Sequence, residues 1–528
     1  MLAYFVVAPI LIAVFLYVFS TNTGRVLAIT AQAVLVGFSC YLFYISRERT
    51  VITVIGNYQS SLGITLVSDY IASVFVLLTA FIFLIASIYG LRENNTPMFW
   101  FLLFLWESLL IGVFLSRDFF NIFVLLEVST VVVSILIMFD RSNRSMYDGI
   151  IYLMLNIVAI QFFLFGIGYV YRLTGTLDLH LATQGFAALS PSAAILPYAL
   201  IMTAVAFKCA LLPLFSWLPK AHGTPGAPSS VSAILSGLQI KIGVYLFLRF
   251  QEVFSTIALT EFFLLLGVLT GVVGVVLAVT ERDIKLILAY STVAQMGLIM
   301  IGLGIDGVYA YIGSLYHIVN HALFKSALFL VAGIIIHTYH TRDIYEIQGV
   351  FRRAPVVGIA TIMAVFGITG TPLFNGSISK YFMMSGAGQF VSAAMILINL
   401  GTIIVFIRFS RILFGHCQGE ACAVKQDRFQ EIAVLVLCTL CFAGGVFGEQ
   451  FVQFLFGAYV AISPAGYLEK VAIFFASWAV GFLLCKYYLE RSALLRQVRR
   501  ISLNFRGMCA SMGTFFAVIL LAAGFFNR

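Results

Sequence analysis

The sequence predicts an all-α, polytopic membrane protein with about 14–16 membrane-spanning helices, and three observations support this fold class. Of the 528 residues, 62% are hydrophobic and only 10% are charged, whereas about 25% of the residues of soluble domains are charged. Apolar stretches of about 20 residues, long enough to cross a bilayer, recur along the whole chain. The largest polar stretches cover only residues 415–429 and 490–506. So few charges cannot build a water-exposed surface, which makes lipid the solvent for the outside of this fold.

Each apolar stretch predicts one helical segment. The first stretch has no basic n-region and no small-residue cleavage site, and we therefore take it as a membrane span rather than a signal peptide. The predicted segments lie near residues 2–20, 26–45, 66–90, 97–115, 119–139, 149–172, 193–218, 228–250, 258–280, 284–304, 306–338, 355–386, 389–414, 429–457, 467–489 and 511–526.

The net charge of +9 would suit nucleic-acid binding if the basic residues formed a stripe with interleaved aromatic side chains. They lie instead in short loops between apolar segments, which argues against a nucleic-acid partner. Most of the loop Lys and Arg residues fall on one set of alternate loops, and the positive-inside rule places that set in the cytoplasm. Both termini are then expected on the outer, periplasmic side of the cell (inner) membrane.

We assign four lysines, and no arginine, to the interior of apolar segments, and we assign the other lysines, Lys470 among them, to loops. A charge at the centre of a bilayer costs about 2.5–3.5 kcal/mol, so these side chains must face one another or water inside the bundle. Lysine can lose its proton when desolvated, whereas arginine stays charged. A chain of buried lysines therefore predicts a path for protons, and its members are Lys208, Lys241, Lys325 and Lys380.

Two carboxylates also lie in the middle of apolar segments. Glu127 is a candidate partner of Lys208 in an ion pair that opens and closes, because an opposite charge nearby keeps a lysine protonated. The alternative is a static ion pair that fixes helix packing. The second carboxylate, Glu107, either joins the Glu127 group or bonds a neighbouring serine.

His317, His321 and Lys325 are spaced by four residues, so they line one face of a helix. Histidine exchanges protons near neutral pH, and this face therefore predicts a relay to Lys325. Two alternatives stay open, since the histidines could serve packing and hydrogen bonding, or could bind a metal. No third ligand is evident nearby, and we expect no metal. Lys241 is the natural middle step between the Lys208 segment and the histidine-bearing segment.

Proline predicts a break in two of the helices. Pro213 follows Lys208 closely, and Pro372 precedes Lys380 within a Gly-Thr-Pro sequence. Proline removes a backbone donor and clashes with the preceding turn, and a broken helix at membrane depth is tolerated where it is buried in protein or lines a cavity. Paired broken helices, each with a lysine, are typical of transporters built from inverted repeats. The alternative for either proline is a harmless kink.

The sequence holds no Walker loop, no dinucleotide-binding fingerprint and no supported Ser-His-Asp order. We therefore expect no cofactor and no covalent catalysis, and any driving reaction is expected in another subunit.

Three strings resemble one family of membrane proteins. They are FSWLPKAHGTPGAPSSVSAILSGLQIKIGVYLFLR at 215–249, ERDIKLILAYSTVAQMGLIMIGLG at 281–304 and YHIVNHALFKSALFLVAGIIIH at 316–337. They are similar to the proton-conducting, antiporter-like subunits of respiratory complex I, Mrp sodium/proton antiporters and membrane-bound hydrogenases. The resemblance covers about residues 65–415 and is closest to the D-type subunit of Mrp antiporters.

The resemblance implies two five-helix inverted repeats, each with a broken helix, at residues 97–250 and 251–414. They would follow N-terminal membrane helices at 1–96 and precede C-terminal helices with a basic cytoplasmic loop at 415–528. It also implies roles for the candidate residues in the proton path. Glu127 and Lys208 would be the coupling pair, Lys241 the central carrier, Lys325 with His317 and His321 the onward relay, and Lys380 the last lysine before the exit. Tyr381 follows Lys380 where some members have an acid, which leaves the exit step open.

The main functional hypothesis is a proton-translocating subunit of a hetero-oligomeric membrane complex, exchanging protons and sodium as in a Mrp antiporter. One alternative is the proton-pumping subunit of a hydrogenase or complex I-like NADH/quinone oxidoreductase, a translocase without its own redox cofactor. Another is a membrane subunit of an ion-driven inorganic-carbon uptake complex. A fourth possibility is a scaffold with an inactive channel.

Overall fold

The computed structural model describes residues 1–18, 22–57, 63–91, 96–415, 427–488 and 504–526. Of the residues that the structure describes, 82% are helical. Within the described residues, 14 helices are long and apolar enough to cross a membrane, and Leu2–Val18 and Pro355–Thr369 are shorter apolar helices. The predicted all-α, polytopic membrane fold is confirmed. Most of the basic stretch predicted at 490–506 lies outside the described residues.

The first group of described helices lies before residue 254. In chain order they are α1 (Leu2–Val18), α2 (Asn22–Glu48), α3 (Tyr70–Tyr89), α4 (Pro97–Leu115), α5 (Phe119–Ile137), α6 (Asn143–Thr174), α7 (Leu179–Ala187), α8 (Pro191–Lys208), α9 (Trp217–Gly223), α10 (Ser229–Ile234) and α11 (Ile240–Val253). A two-stranded antiparallel sheet, which was not predicted, joins β1 (Val51–Val54) to β2 (Thr65–Ser68).

The later helices include the second break and the C-terminal helices. They are α12 (Thr260–Thr280), α13 (Ile284–Leu303), α14 (Val308–Tyr339), α15 (Val350–Arg353), α16 (Pro355–Thr369), α17 (Asn375–Met383), α18 (Gln389–Phe409), α19 (Arg428–Val446), α20 (Gly448–Phe456), α21 (Pro464–Tyr487) and α22 (Phe505–Phe526). The predicted segment 429–457 is therefore two helices, α19 and α20.

The chain divides into two compact units. The first comprises Met1–Ala227, Leu238–Leu259 and Leu503–Arg528, and the second comprises Pro228–Gly237 and Thr260–Ser502. In the first unit α8 packs against α6, α11 and α22. In the second unit α14 is the central helix, because it packs against α10, α13, α16, α17 and α19. The side chains of α14 are accordingly buried along most of its length.

Both predicted breaks near proline are confirmed. Helix α8 ends at Lys208, and the chain resumes helical structure only at Leu214. The second break separates α16 from α17, with Gly370 and Leu373 at positive φ angles of 77° and 70°. Backbone groups freed at a break need new partners, and one is found where Trp217 Nε1 donates to the carbonyl oxygen of Phe207 at 2.8 Å.

A third irregularity was not predicted. The segment 228–250 is not one regular α-helix, because a π-helical turn, Leu235–Gln239, separates α10 from α11. Such turns shift the helical register and are frequent at functional sites. The boundary between the two units also falls inside this turn.

A pattern of elements occurs twice along the chain. Isolated β-bridges join Asp118 to Asp178 and Asp283 to Asp343. The sequence separation between the first members of the two pairs equals the separation between their second members. Helices α6 and α14 keep this spacing, and each contains 32 residues. The recurrence supports an internal repeat, whereas the predicted boundaries 97–250 and 251–414 stay a prediction.

Glycines bring α12 and α13 into close contact. A Cβ atom on Gly297 of α13 would lie 2.4 Å from the backbone nitrogen of Gly271, and one on Gly274 would lie 2.5 Å from that of Ala294. In lipid, helices associate through such close packing of small residues rather than through the hydrophobic effect. This packing fixes α13 against α12, and α13 also packs against α14.

Candidate functional site

Lys208 is held by neutral side chains of two neighbouring helices. Its Nζ donates to Asn156 Oδ1 of α6 at 2.7 Å and to Thr130 Oγ1 of α5 at 3.2 Å. The side chain is buried. Because Lys208 is the last residue of α8, the partial negative charge at the helix C-terminus also favours its ammonium.

Glu127 lies on α5, one turn before Thr130, and is partly buried. It interacts electrostatically with Lys208. Among the residues that the structure describes, however, the direct ion pairs do not include these two side chains. The structure therefore places the predicted pair in one region of the first unit, with Lys208 turned to Asn156 and Thr130 rather than bonded to Glu127.

Lys241 is fully buried on α11. Close after it, Gly243 lets α11 approach the break that follows Lys208, since a Cβ atom there would lie 2.5 Å from the backbone nitrogen of Cys209. Gln239, just before Lys241, accepts a hydrogen bond from Trp106 Nε1 at 2.8 Å. The helix that carries Lys241 thus lies directly against the segment that follows Lys208.

Glu107 has a partner that the sequence analysis missed. Its Oε1 accepts a hydrogen bond from Gln32 Nε2 of α2 at 2.5 Å, and both side chains are fully buried. The sequence predicted that Glu107 contacts either the Glu127 group or a neighbouring serine, and the bond to Gln32 is neither of these contacts. Gln32 could not be identified in advance, because it is remote in sequence and lies in an apolar helix like many others.

The second unit brings together the predicted relay on α14. His317, His321 and Lys325 are each 0% exposed, and the centroids of the two imidazole rings are 6.5 Å apart. The Nδ1 atom of His317 lies 2.9 Å from Ser379 Oγ, and its Nε2 atom lies 3.1 Å from Gln295 Oε1. Over the described ranges, no three His, Cys, Asp or Glu residues are grouped so as to hold a metal ion.

Lys325 is also held by neutral groups. Its Nζ donates to the carbonyl oxygen of Leu288 at 2.8 Å and to Ser291 Oγ at 2.5 Å, both on α13. The ring of Phe406 lies on another side, with its centroid 6.0 Å from Nζ. An ammonium is therefore stabilised here by dipoles and a ring face.

Lys380 spans the second break. Its Nζ donates to the carbonyl oxygen of Ile368, in the last turn of α16, and to Asn399 Oδ1 of α18, each at 2.7 Å. Ser379, which contacts His317, immediately precedes Lys380 on α17. One short helix therefore connects the relay of α14 to Lys380.

A further buried lysine was missed by the sequence analysis. Lys470 lies within α21, and its Nζ is buried in the cavity that Lys380 also lines. The sequence could have identified Lys470 as a buried lysine, because residue 470 falls inside the predicted segment 467–489. Its position near the start of that segment led to its assignment to a loop.

Asp69, which lies just before the membrane-spanning helix α3, organises a charged cluster in the first unit. It caps α3 by accepting from the Ala72 backbone nitrogen at 2.9 Å, and it pairs with Arg117 and Arg249 at 2.7 Å each. Burial alone would raise the pKa of Asp69, but the guanidinium groups of Arg249 and Arg117 and the Ala72 N–H outweigh it and lower the pKa. The cluster ties α3 to the start of α5 and the end of α11.

The fold and these side chains define a multi-pass membrane protein with ionisable residues held inside its helical bundles. The sequence of residues 116–406, more than half of the chain, matches the family described as "NADH:quinone oxidoreductase/Mrp antiporter, TM", and the chain belongs to this family.

Individual relatives agree with this assignment. A Staphylococcus aureus (strain JH9) protein, provisionally named antiporter subunit mnhD2, is 27% identical over 425 residues, which cover 77% of this chain and 84% of the relative. Among solved structures, a chain of the Mrp complex from Dietzia sp. DQ12-45-1b has a TM-score of 0.79 at 21% identity, covering 89% of this chain and 98% of that one.

Two other solved structures share the fold. A chain of the archaeal membrane-bound sulfane sulfur reductase has a TM-score of 0.79 at 21% identity, covering 90% of this chain and 99% of that one. A chain of respiratory complex I from Thermus thermophilus has a TM-score of 0.76 at 20% identity, covering 90% and 100%. All three belong to multi-subunit membrane complexes.

Proposed function

We propose that this chain is a proton-translocating, antiporter-like subunit of a multi-subunit membrane complex, namely the D-type member of a Mrp-type sodium/proton antiporter. One observation carries the proposal. Three buried lysines share one environment, in which the described hydrogen-bond acceptors of each ammonium are neutral oxygen atoms. They are Lys208, Lys325 and Lys380.

Neutral acceptors suit a group that must gain and lose a proton. A carboxylate in direct contact would hold the ammonium in a strong, charge-assisted bond. An amide, hydroxyl or carbonyl oxygen stabilises the ammonium less, and the same acceptor can reorient or bond water when the amine is neutral. A lysine that served only to fix helix packing would gain more from a permanent counter-charge, since an unpaired buried charge is costly.

In the first unit, Glu127 would control the charge of Lys208. The two side chains interact without touching, so a small movement of either α5 or α8 would change their separation and the stability of the ammonium. Lys208 would release its proton as Glu127 withdraws. Lys241, buried on the helix that packs against the break, would accept it through water.

In the second unit, Lys325 would pass protons along the face of α14. His321 and His317 follow at successive turns of that helix, and imidazole both gives and takes protons near neutral pH. Ser379 joins His317 to the helix that carries Lys380. Lys380 would then hold the proton at the second break.

The partners and ions are inferred from the relatives. The provisional name of the S. aureus relative is antiporter subunit, and one solved relative is part of a Mrp complex. From these we infer membrane subunits of the same kind as partners. The proposal of sodium as the exchanged ion rests on the resemblance of the sequence to Mrp sodium/proton antiporters. We also propose an inner-membrane location, and the distribution of Lys and Arg among the loops supports an orientation with both termini outside.

A second candidate is a redox-driven complex, in which the chain translocates protons without a cofactor of its own. It is favoured by the likeness to chains of the sulfane sulfur reductase and of complex I. Isolation of the intact complex distinguishes the candidates, because a redox complex would carry iron–sulfur subunits and an antiporter would not. A zinc-binding partner would instead favour the carbon-uptake complex.

The test uses the whole complex in inverted membrane vesicles from a host that lacks its own sodium/proton antiporters. Addition of sodium should dissipate a preformed pH gradient, followed with a pH-sensitive dye. Glu127→Gln and Lys208→Met should lower the initial rate by about 100-fold, the scale of removing an acid–base group. Lys486→Met, an exposed lysine in the last turn of α21, is the control and should behave as wild type.

The amount of assembled complex is measured for every variant. Equal assembly with lost transport supports the proposal. Full transport by both Glu127→Gln and Lys208→Met would contradict it and favour a scaffold with an inactive channel.

A further inference from the structure

A cavity of about 270 Å³ in the second unit contains two lysines. Its walls come from α13, α17, α18 and α21, and its polar lining includes Lys380, Tyr381, Asn399, Glu469 and Lys470. A water molecule needs about 10–15 Å³ of such space, so the cavity has room for several. Helix α21 lies beyond residue 406, where the family match ends.

The two amines of the cavity are held differently. Lys380 Nζ is fixed by Ile368 and Asn399, each at 2.7 Å. Lys470 Nζ is buried and has no hydrogen-bond partner among the described protein groups, although it lies 5.6 Å from the centroid of the Tyr381 ring. Burying an amine without an acceptor is unfavourable unless solvent in the cavity serves it or it has a role.

Tyr381 attaches the start of α21 to α17. Its hydroxyl accepts a hydrogen bond from the Ser463 backbone nitrogen, the N-cap of α21, at 3.2 Å, and its ring packs edge-on against Tyr467 with centroids 6.0 Å apart. Its ring face also stabilises a cation at Lys470. Tyr381, the residue next to Lys380 in the sequence, is therefore the one that positions the second lysine.

Lys470 lies near an exposed end of the bundle. Helix α21 begins at Pro464, so Lys470 is in its second turn. Its neighbour Glu469 lines the same cavity and is exposed. The cavity therefore leads from Lys380, at the broken helix, to a carboxylate at the surface.

We propose that Lys470 is a further proton-carrying residue, which receives through this cavity the proton that Lys380 releases and hands it to Glu469 at the surface. An N–H bond of the Lys380 ammonium breaks as water takes the proton, and the lone pair of neutral Lys470 forms a new N–H bond. The proton then leaves Lys470 for the Glu469 carboxylate and bulk water. This inference rests on the proposed function, since it supplies the exit of the same path.

The test compares three substitutions of Lys470 in the whole complex, with the same vesicle assay. Lys470→Met should lower the rate by about 100-fold, because no group there can take the proton. Lys470→Arg keeps the charge and the ring contact but holds its proton permanently, and should be equally inactive. Lys470→His should retain part of the activity. The control is again Lys486→Met on the same helix.

Lys470→Arg separates the proposal from a structural role. If Lys470 only packs against Tyr381, Lys470→Arg transports at the wild-type rate and the inference is wrong. The same holds if Lys470→Met assembles and transports normally while Lys208→Met is inactive. If Lys208→Met and Glu127→Gln also transport normally, the proposed function itself fails.

Discussion

The ammonium of Lys380 lies 2.7 Å from the carbonyl oxygen of Ile368, on the opposite side of the gap between α16 and α17. The last carbonyl groups of a helix have no partner within it, and its C-terminus attracts a cation. A lysine from the second half-helix therefore completes the end of the first. The second hydrogen-bond acceptor of Lys380 is Asn399. Both acceptors are neutral, and the side chain of Asn399 can be substituted without changing the backbone carbonyl of Ile368.

Asn399→Asp should abolish transport without loss of the complex. A carboxylate 2.7 Å from Lys380 Nζ would form a buried ion pair that retains the proton. Asn399→Leu removes the acceptor instead and should lower transport by about 10-fold, since a hydrogen bond to a charged group contributes about 1.5–3 kcal/mol. The measurement is the sodium-induced rate of pH-gradient loss per assembled complex. A wild-type rate in Asn399→Asp would show that Lys380 does not exchange protons.

The two acceptors of Lys208 should differ in importance. Asn156 lies at 2.7 Å from Nζ and Thr130 at 3.2 Å, and shorter bonds to charged groups are the stronger ones. We expect Asn156→Leu to lower transport by about 10-fold or more, and Thr130→Val by less. Equal effects, or the reverse order, would mean that Lys208 adopts another position during transport.

Gly243→Ala should disturb the contact between α11 and the break after α8. The added Cβ atom would meet the Cys209 backbone nitrogen at 2.5 Å and the Lys208 carbonyl carbon at 2.7 Å. Overpacking of this kind costs about 1–3 kcal/mol, and it would displace Lys241. We expect a lower melting temperature in detergent and reduced transport.

Gly168→Ala is the matched control, because that helical glycine of α6 has no atom within 4 Å of an added Cβ. Alanine favours a helix over glycine by about 1 kcal/mol, so this variant should be as stable as the wild type or more stable. A Gly243→Ala protein that matches it in both assays would contradict the predicted contact.

Asp69→Asn should destabilise the first unit without affecting the proton path. The substitution leaves Arg117 and Arg249 without their shared carboxylate, at a cost of about 1–3 kcal/mol after allowing for partial exposure. Because the pKa of Asp69 is lowered in the folded protein, its contribution is present above the unfolded-state pKa and is lost as the pH falls through the folded-state pKa.

Thermal unfolding in detergent between pH 3 and 7 measures this dependence. The difference between wild type and Asp69→Asn should be constant near neutral pH and shrink below a pH of about 3.8, the ordinary pKa of the group. A difference that grows on acidification would mean that another group dominates the cluster.

Much of the fold follows from local sequence properties. Apolar stretches give the spans, and prolines mark both breaks. Four of the lysines could be identified one by one, because a cation in an apolar stretch is conspicuous. The face of α14 that carries His317, His321 and Lys325 follows from helical spacing alone.

The rest depends on contacts between distant segments. Asn156, Ser291 and Asn399 hold lysines, yet polar uncharged residues recur throughout these helices, and nothing in the sequence singles these out. No arginine is expected inside an apolar segment from the sequence, whereas Arg249 belongs to α11 and pairs with Asp69, 180 positions away. Lys470 is expected in a loop because it lies close to the start of its predicted segment. At such a position, a shift of one helical turn decides whether the side chain faces the lipid headgroups or is buried.

The two broken helices also bear on how the halves of this chain should be compared. If the two halves of the sequence are aligned at the spacing between the paired aspartate bridges, Lys208 aligns with Leu373 and not with Lys380. Yet each lysine neutralises the end of a first half-helix, Lys208 as the last residue of α8 and Lys380 by reaching back to Ile368. The halves thus share an electrostatic relationship rather than a sequence position. A coevolution analysis or an ancestral reconstruction that aligns the two halves position by position would treat these lysines as unrelated. An alignment that superimposes the ends of the broken helices would pair them.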